Sequence, residues 1–326
     1  MPAASDPLFG RRVLVTGAGG FIGAALVHAL VARGAEVTAL SRRPGRLDAD
    51  ASVYRFVSCD LRAIQPLRDV FETARPELVY HLAAQPDAAE DAVHLHRVIE
   101  HNIKAVANLV EVLVAHRGTN LVYGDSVKVY GDAPVPYRAD QRPEPLSSYA
   151  VAKLAGWGLI DVARRVYGFD AMALRPTLVY GPGQAFNLFT FLIKSIQAQR
   201  EVIALDGGVQ SRDPIYIDDA VEAFLQAGRR LPACSGMTLP IGGNREMSVA
   251  DIARLTVRLL KGKQSVVLRP TSQRPTEMLR SWCDNAEASA TLDWAPTVSL
   301  ETGILRTAAA LAATAPASAA GITQAA

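Results

Sequence analysis

Near its amino terminus the chain reads Val13-Leu14-Val15-Thr16-Gly17-Ala18-Gly19-Gly20-Phe21-Ile22-Gly23. Its apolar start predicts a buried strand, and the pattern after the glycines predicts a helix over 21–32. Glycines permit a tight turn and close approach of the backbone to a pyrophosphate, which the amino end of a helix attracts. An ordinary glycine turn is the alternative. We predict a dinucleotide site at Gly17, Gly20, Phe21, Ile22 and Gly23.

Short apolar segments alternate with helical segments from this turn to residue 174. We predict strands at 37–40, 54–57, 78–82, 121–123 and 171–174, and helices at 64–73, 93–116 and 148–167. Strands that alternate with helices of this length predict an α/β fold with a Rossmann-type, doubly wound parallel sheet. Residues 1–179 form the predicted dinucleotide-binding domain, which includes the candidate catalytic residues.

The chain from residue 180 to residue 307 is richer in glycine and proline turns. We predict helices at 188–199, 218–229 and 249–260, and strands at 202–205 and 237–241. This region is predicted to be mainly a smaller α/β substrate-binding lobe, with some segments returning to the main domain. It would close over the carboxyl edge of the sheet, where open α/β sheets bind substrates. Residues 308–326 form an alanine-rich tail that we expect to fray.

Composition narrows the classes of partner. The 326 residues are 49% hydrophobic and 20% charged, and the formal net charge is +2. The sequence has no long basic run, no apolar run of membrane-spanning length and no signal-peptide pattern. We therefore expect no nucleic-acid partner, no membrane partner and a cytoplasmic location. Cys59, Cys234 and Cys283 lack metal-ligand spacing, which predicts reduced thiols and no metal.

Tyr149 and Lys153 lie four residues apart within the helix predicted over 148–167. This spacing is about one helical turn, so both side chains leave the same face of the helix. An ammonium beside a phenol lowers the pKa of the phenol, which can then exchange a proton near neutral pH. The pair predicts an acid/base tyrosine supported by a lysine.

The end of the second predicted strand bears on the choice of cofactor. An acid about 20 residues after the glycines would hold the ribose 2′-OH of NAD. This chain instead reads Leu40-Ser41-Arg42-Arg43. A guanidinium can pair with the 2′-phosphate of NADP, so Arg42 predicts a preference for NADP(H), with NAD(H) left open. The alternative is that both arginines are solvated surface residues.

Further motifs resemble the extended short-chain dehydrogenase/reductase family, especially its nucleotide-sugar epimerases, dehydratases and reductases. The resemblance extends from Arg11 to about Gly303. Beyond the glycine turn and the Tyr149–Lys153 pair, the matching motifs are Asp60-Leu61, His81-Leu82-Ala83-Ala84, Val129-Tyr130-Gly131, Leu174-Arg175-Pro176, Tyr180-Gly181-Pro182-Gly183, Arg212-Asp213 and Asp218-Asp219. These motifs are specific for the family and much less specific for the substrate.

The resemblance implies roles for the matching residues of the main domain. Ser126 corresponds to the residue that hydrogen-bonds the reacting oxygen, although a strand-end serine bonded to backbone is the alternative. Tyr149 corresponds to the acid/base, and Lys153 to the residue that holds the nicotinamide ribose. Cofactor contacts from the adenine to the nicotinamide are implied for Asp60, Leu61, Leu82, Ala83, Ala84 and Pro176.

The resemblance also implies that the second lobe holds the diphosphate and nucleotide of the substrate. The residues concerned are Asn187, Leu188, Arg212, Arg274 and Glu277. Guanidinium groups suit this task because they offer paired donors to phosphate oxygens. The alternatives are a helix N-cap for Asn187, a local ion pair for Arg212 and a solvated loop residue for Arg274. A homodimer is implied in the same way.

Two departures from the family pattern bear on which reaction and which substrate are expected. Val127-Lys128 stands where the dehydratases carry an Asp-Glu pair, which argues against water elimination. Lys128 adds a cation near the sugar pocket, unless it points to solvent. Leu178 replaces an asparagine that commonly binds the diphosphate, which weakens the nucleotide-sugar hypothesis.

The leading hypothesis is NADPH-dependent reduction of a keto group on a nucleotide-linked sugar. Its catalytic residues would be Ser126, Tyr149 and Lys153. A nucleotide-sugar epimerase with tightly bound NAD(P) uses the same three residues and is the first alternative. A reductase of small non-nucleotide carbonyl compounds and a non-catalytic dinucleotide-binding subunit are the other classes.

Overall fold

The computed structural model describes residues 6–47, 52–85, 92–270 and 276–314. The strands within these ranges are β1 (Arg12–Thr16), β2 (Glu36–Ser41), β3 (Arg55–Ser58), β4 (Leu78–His81), β5 (Asn120–Gly124), β6 (Ala171–Pro176), β7 (Leu178–Tyr180), β8 (Val202–Asp206), β9 (Ser211–Arg212), β10 (Pro214–Tyr216), β11 (Thr238–Ile241), β12 (Met247–Ser248) and β13 (Ser265–Arg269).

The α-helices are α1 (Phe21–Ala32), α2 (Ile64–Ala74), α3 (Ala92–Val98), α4 (Ala105–Ala115), α5 (Ser148–Tyr167), α6 (Leu188–Gln197), α7 (Ile217–Arg230), α8 (Val249–Leu259), α9 (Ala286–Leu292) and α10 (Leu300–Ala313). A π-helical turn, Ile99–Lys104, joins α3 to α4, and a 3₁₀-helix, Val127–Tyr130, follows β5. Across the described residues, no helix has both the length and the apolar composition that a membrane crossing requires.

Seven strands form one parallel sheet in the order β11-β6-β5-β4-β1-β2-β3. The chain runs outward from β1 to β3, then returns to β4 on the other side of β1 and continues outward from there. A crevice opens at such a switch point, beyond the carboxyl ends of the two central strands. The glycine turn follows β1 and residues 82–85 follow β4, so both segments border this crevice.

Helices cover both faces of the sheet because successive strand side chains point in opposite directions. Val13 and Val15 belong to a buried cluster that includes residues of α1 and α7. Leu14, between them, belongs to a second cluster with residues of α2, α4 and α5. The predicted Rossmann-type fold is confirmed, and its strands and helices begin and end within two residues of the predicted positions. The π-helical turn interrupts the helix predicted over 93–116.

Two segments that the sequence patterns assign to the second lobe lie in the main domain. β11 is the edge strand of the large sheet, paired in parallel with β6. α7 packs on α1 and contributes Ala220 and Phe224 to the core. Burial explains the return of β11, because Leu239 and Ile241 are fully buried against the sheet edge.

The rest of the second lobe is made of two-stranded pairs with α6 and α8. β7 pairs with β10 and β8 with β13 in parallel, whereas β9 pairs with β12 antiparallel. Most of these strands have two or three residues, too few to show a periodic pattern. α10 continues through residues 308–313 with Ala308 buried, so this part of the predicted tail is helical rather than frayed. Residues 315–326 of the tail lie outside the described residues.

Candidate active site

Neighbouring backbone lies so close to Gly17 and Gly23 that neither position has room for a side chain. Gly17 has a φ of 69°, and a Cβ on it would lie 2.6 Å from the backbone nitrogen of Ala83. A Cβ on Gly23 would overlap the carbonyl oxygen of Gly17. Gly20 is the N-cap of α1, so Phe21 and Ile22 open that helix at the crevice. The N–H groups and positive dipole end of α1 suit an anionic pyrophosphate there.

A cavity of about 760 Å³ extends from the glycine turn past the carboxyl ends of β2 and β3. Arg42, Asp60, Leu61 and Ala83 are among the residues that line it. The Asp60 carboxylate accepts hydrogen bonds from the Arg62 guanidinium, which lowers the pKa of Asp60 to about 2. The structure therefore brings the residues predicted to contact the adenosine half of the cofactor to one cavity.

A second cavity, of about 450 Å³, lies on the other side of the glycine turn. Ser126, Tyr149, Lys153 and Pro176 line it, so the three predicted catalytic residues and the predicted nicotinamide contact meet there. The two cavities share the walls Gly17, Gly20, Leu82 and Ala84. A dinucleotide, whose two halves meet at a pyrophosphate, fits two cavities that meet at a glycine turn.

Lys153 is held rigidly beneath the second cavity. Ser147 caps α5 through its side chain, and one turn of helix separates Tyr149 from Lys153. The Lys153 ammonium donates to the carbonyl oxygen of Gly124 over 2.6 Å, and its side chain is 3% exposed. Burial lowers the pKa of Lys153 to about 8, and the negative charge of Asp125 opposes this change. The group is thus poised to carry its charge near neutral pH.

Tyr149 differs from its prediction in one respect. Burial raises the pKa of the phenol above its ordinary value, and the Asp125 carboxylate adds to the rise. The predicted lowering of this pKa by Lys153 is therefore wrong for the observed arrangement. The Lys153 ammonium is directed to Gly124, and it lies 6.0 Å from the centroid of the Tyr149 ring. Burial and the Asp125 charge therefore both disfavour the phenolate in this arrangement.

Ser126 occupies the point where β5 gives way to the 3₁₀-helix. Its side-chain oxygen accepts a hydrogen bond from the backbone N–H of Lys128 over 3.2 Å, so it acts as the N-cap of that helix. The cap uses a lone pair of the hydroxyl and leaves its proton available for donation into the cavity. The backbone-bonded alternative and the predicted catalytic role are therefore compatible.

A buried ion pair below the site was not predicted from the sequence. Asp125 accepts from Arg175 Nε over 2.7 Å, with both side chains at most 3% exposed. Arg175 also donates to the phenol of Tyr130 over 3.0 Å. The second Asp125 oxygen is buried and has no hydrogen-bond partner among the described residues. Two sequence features could have indicated this pair. Asp125 directly follows β5, and Arg175 lies in the neighbouring strand β6, and both strands were predicted to be buried.

Two further residues fix the backbone around the crevice. Asn102, in the π-helical turn, accepts from the backbone N–H of Gln85 over 2.7 Å and donates to the carbonyl oxygen of Gln85 over 3.2 Å. His81 is 1% exposed and shares a hydrogen bond with Thr16 over 2.8 Å. Burial and the charge of Lys153 lower the pKa of His81 to about 3, so it is a neutral structural residue. Together they position segment 82–85, which lines the cofactor cavities.

The predicted substrate residues of the second lobe are engaged with one another or with their own elements. Arg212 pairs with Glu277 and donates to the carbonyl oxygen of Met278 over 3.0 Å. Asn187 caps α6 in a reciprocal box with Thr190, so the N-cap alternative holds for its side chain. Leu188 is the first residue of α6, and Arg274 lies outside the described residues. The alternative for Arg212, a local ion pair with Asp213, is not formed, because Asp213 is buried and accepts from backbone N–H groups.

Among the described residues, no group of three His, Cys, Asp or Glu side chains is arranged to hold a metal. The fold and these cavities define a Rossmann-fold enzyme of the nicotinamide-dinucleotide class. Residues 13–236 match the NAD dependent epimerase/dehydratase family, and the chain belongs to it. The family membership predicted from the motifs is thus confirmed.

Relatives cover nearly the whole chain. It is 30% identical to the UDP-glucose 4-epimerase of Mycolicibacterium smegmatis, over 91% of this chain and 97% of that protein. It is 26% identical to the UDP-glucuronate 4-epimerase of Thermodesulfobacterium geofontis, over 90% of this chain and 94% of that protein. The crystal structure of UDP-glucuronic acid 4-epimerase from Bacillus cereus, in complex with UDP-glucuronic acid and NAD, superposes on this chain with a TM-score of 0.85. The sequence identity is 27%, and the superposition covers 92% of this chain and 99% of that chain.

These comparisons favour the epimerase alternative over the leading hypothesis of keto-sugar reduction, which they do not support. They also give no support to the NADP preference predicted from Arg42, because the Bacillus cereus complex contains NAD. The catalytic motif could not separate the reactions, since a reductase and an epimerase use the same serine, tyrosine and lysine. An arginine at the end of β2 is likewise insufficient to select the cofactor.

Proposed function

We propose that this protein is an NAD-dependent nucleotide-sugar 4-epimerase. The observation that carries the proposal is the meeting of Ser126, Tyr149 and Lys153 in a cavity that shares its walls with the dinucleotide cavity. The 4-epimerases to which the chain is similar along nearly its entire length support the choice of reaction.

The chain has the residues to hold NAD across both cavities. The glycine turn and the amino end of α1 would bind the pyrophosphate, and Asp60 and Leu61 the adenosine half. Leu82, Ala84 and Pro176 would enclose the nicotinamide, and Lys153 its ribose. When bound, NAD supplies the redox chemistry at C4 of the sugar, taking up a hydride and returning it to the opposite face.

Tyr149 would handle the proton of the sugar C4 hydroxyl. The phenolate oxygen of Tyr149 would accept this proton when the hydroxyl becomes a carbonyl, and the resulting phenol would return it when the hydroxyl forms again, so Tyr149 ends the cycle as it began. Burial of Tyr149 resists the phenolate that this role requires. Lys153, whose ammonium lies 6.0 Å from the phenol ring centroid, opposes that cost with its charge. Ser126 would donate to the same sugar oxygen and orient it.

The second lobe would bind the diphosphate and nucleotide. Arg212 is half-buried and joined to Glu277 and to backbone carbonyl oxygens, so its guanidinium is held in place at the lobe. A diphosphate would compete with the Glu277 carboxylate for the same donors. We include Arg274 and Leu188 in this subsite on the strength of the family pattern. Asn187 is proposed here as the cap of α6, with no direct part in binding.

The decisive variant is Tyr149→Phe, with Tyr167→Phe as a matched control. Tyr167 ends the same helix and is 60% exposed, so it tests the loss of a phenol away from the cavity. We expect Tyr149→Phe to lower kcat by at least about 100-fold, with NAD binding kept, because an acid/base group contributes on that scale. The measurement is chromatographic interconversion of the C4 epimers of UDP-linked hexoses and hexuronates without an added reductant.

Two results would contradict the proposal. Unchanged turnover in Tyr149→Phe would remove the catalytic scheme. If the protein oxidises NADPH when keto-sugars are supplied and interconverts no epimers, a reductase function would replace the proposed epimerase function. Identification of the nucleotide that copurifies with the protein decides between NAD and the NADP predicted from Arg42.

A further inference from the structure

We propose that Tyr123 is a positioning residue for Lys153, because the face of its aromatic ring takes the place of water around the Lys153 ammonium and holds that charge beside Tyr149. The inference rests on the proposed epimerase function and deepens it, since Lys153 is one of the three residues assigned to catalysis. Tyr123 is a buried residue of β5 to which the motifs of the sequence assign no role.

The Lys153 ammonium needs a partner besides the carbonyl oxygen of Gly124. An ammonium has three N–H donors, and among the described residues the Lys153 ammonium makes one hydrogen bond, to Gly124. Lys153 is buried, so little water reaches the remaining donors, and a buried charge without compensation is costly. The Tyr123 ring meets this need, because the ammonium lies over its face, 4.8 Å from the centroid. The face of an aromatic ring carries negative charge, which attracts a cation at this distance.

The neighbours of the Tyr123 ring hold it in this orientation. His81 of β4 stacks on it with a centroid distance of 5.7 Å and an angle of 10°. Trp157 of α5 is also stacked, at 6.5 Å and 20°. The Tyr123 hydroxyl donates to the backbone carbonyl oxygen of Lys153 over 3.3 Å. The same tyrosine therefore contacts both the backbone and the charged end of Lys153.

Helix α5 makes room for the phenol at a glycine. A Cβ on Gly156 would lie 2.6 Å from the hydroxyl oxygen of Tyr123. A glycine in the interior of a helix lowers its stability relative to alanine, so this position needs a physical reason. The close approach of Tyr123 supplies that reason, because a larger residue would push α5, and Lys153 with it, away from β5.

The titratable and charged groups around Lys153 do not replace the ring. They are Tyr149 of α5, His81 of β4, Asp125 after β5, Arg175 of β6 and Lys128 of the 3₁₀-helix. Asp125 favours the ammonium, but its carboxylate is already paired with Arg175. Burial and the Lys153 charge lower the pKa of His81 to about 3, so His81 is neutral. Lys128 lies 5.6 Å from the centroid of the Tyr149 ring, and a second cation does not favour the charge of Lys153.

Tyr123 has two competing roles, which are to fill space in the core and to hold α5 through its hydroxyl. A role in packing alone predicts a loss of stability with no change in the Lys153 pKa. A role of the hydroxyl predicts that Tyr123→Phe is as harmful as loss of the whole ring. The proposed role predicts that the Lys153 pKa follows the negative charge on the face of the ring.

The experiment measures the pKa of the Lys153 amine by NMR, in protein labelled with ¹³C at the lysine Cε atoms and saturated with NAD. The chain has six lysines, and the signal of Lys153 is the one that Lys153→Met lacks. The wild type is compared with Tyr123→Leu, with Tyr123→Phe and with a protein that has trifluorophenylalanine at position 123. Tyr80→Leu is the matched control, because Tyr80 is a fully buried tyrosine of the neighbouring strand β4 and belongs to the other core cluster.

We expect Tyr123→Leu to lower the pKa of Lys153 by roughly 0.5–1.5 pH units, the scale of a desolvated cation–π contact. Tyr123→Phe should stay within about 0.3 pH units of the wild type, because both rings present a negative face. Trifluorophenylalanine should lower the pKa nearly as far as leucine does, since fluorine withdraws charge from the face and keeps the shape of the ring. Tyr80→Leu should leave the Lys153 pKa unchanged. The alkaline limb of kcat for epimer interconversion should move to lower pH together with the Lys153 pKa.

Two results would overturn the inference while leaving the epimerase function in place. One is a Lys153 pKa in Tyr123→Leu equal to that of the wild type. The other is the same Lys153 pKa with phenylalanine and with trifluorophenylalanine at position 123, a comparison that remains decisive even if Tyr123→Leu does not fold. Failure of the wild type to interconvert any C4 epimers would instead refute the proposed function, and the titration would still decide whether the Tyr123 ring holds the Lys153 charge.

Discussion

The two parts of the candidate site differ in how they are built. In the main domain, Ser126, Tyr149 and Lys153 come from elements that pack on one continuous sheet, and Lys153 is only 3% exposed. In the second lobe, Arg212 pairs with Glu277, and Asn187 is committed to capping its own helix. The predicted catalytic groups are therefore held in place by the hydrophobic core, whereas the predicted substrate groups of the second lobe are bonded to each other or to their own helix.

This difference matches the demands on each part. A reacting group gains most from a fixed position, since alignment lowers the barrier only when it exists before the reaction. A substrate-binding group can exchange a protein partner for a ligand. Because one partner is lost when the other is gained, the net contribution of the group to the free energy of substrate binding is smaller. The contrast leads to three measurements, which compare buried groups of the sheet with groups of the surface or the second lobe.

The largest effect should come from the buried ion pair of the main domain. Asp125→Asn leaves the Arg175 guanidinium buried without a charged partner, and we expect it to lower the free energy of unfolding by about 3–5 kcal/mol. Asp161→Asn is the control, because Asp161 pairs with arginines on the surface of α5 and should change stability by about 1 kcal/mol or less. Chemical denaturation measures both. Equal effects would show that the Asp125–Arg175 pair is no more important than a surface pair.

A smaller effect should appear as a dependence of stability on pH. The Lys153 pKa is about 8 in the folded protein and about 10.4 in an unfolded chain, so the unfolded chain holds more protons between these values. Stability contributed by Lys153 therefore rises with pH through this range. Relative to Lys153→Met, the wild type should gain on the order of 1–3 kcal/mol from pH 8 to pH 10.

Denaturation curves at several pH values provide the measurement. The raised pKa values of Tyr149 and of the thiols of Cys59, Cys234 and Cys283 act in the opposite direction. These groups are present in both proteins, so the difference between wild type and Lys153→Met isolates Lys153. Lys194→Met, which removes an exposed lysine from α6 in the second lobe, should leave the wild-type slope unchanged. Parallel curves for wild type and Lys153→Met would mean that the buried amine has an ordinary pKa.

The smallest effect should come from Asn187 in the second lobe. Asn187→Ala removes the cap of α6 and should cost about 1 kcal/mol of stability, with the inhibition constant of UDP unchanged. Arg212→Met provides the comparison, because loss of a guanidinium donor should weaken UDP binding by roughly 10-fold or more. A weakening of UDP binding by Asn187→Ala would restore the predicted contact between Asn187 and the diphosphate.

The sequence patterns predicted the structure correctly where a feature depends on residues that are close together along the chain. The glycine turn, the one-turn spacing of Tyr149 and Lys153 and the alternation of strands and helices all depend on short-range geometry. The patterns were less informative where partners are distant along the chain. Arg175 is 50 residues from Asp125, and Glu277 is 65 residues from Arg212, so neither pair leaves a local signal.

Sequence alone determined the fold class, the family and the three residues that meet in the second cavity, because glycine geometry and helical periodicity are properties of neighbouring residues. Only the tertiary structure decided that β11 joins the main sheet, that Asp125 is neutralised by Arg175 and that the Lys128 ammonium stands beside the Tyr149 ring. Each of these depends on burial and on charges brought together by folding. Burial also reversed the expected direction of the Tyr149 pKa, because the loss of water around the phenol outweighs a cation directed at a backbone carbonyl.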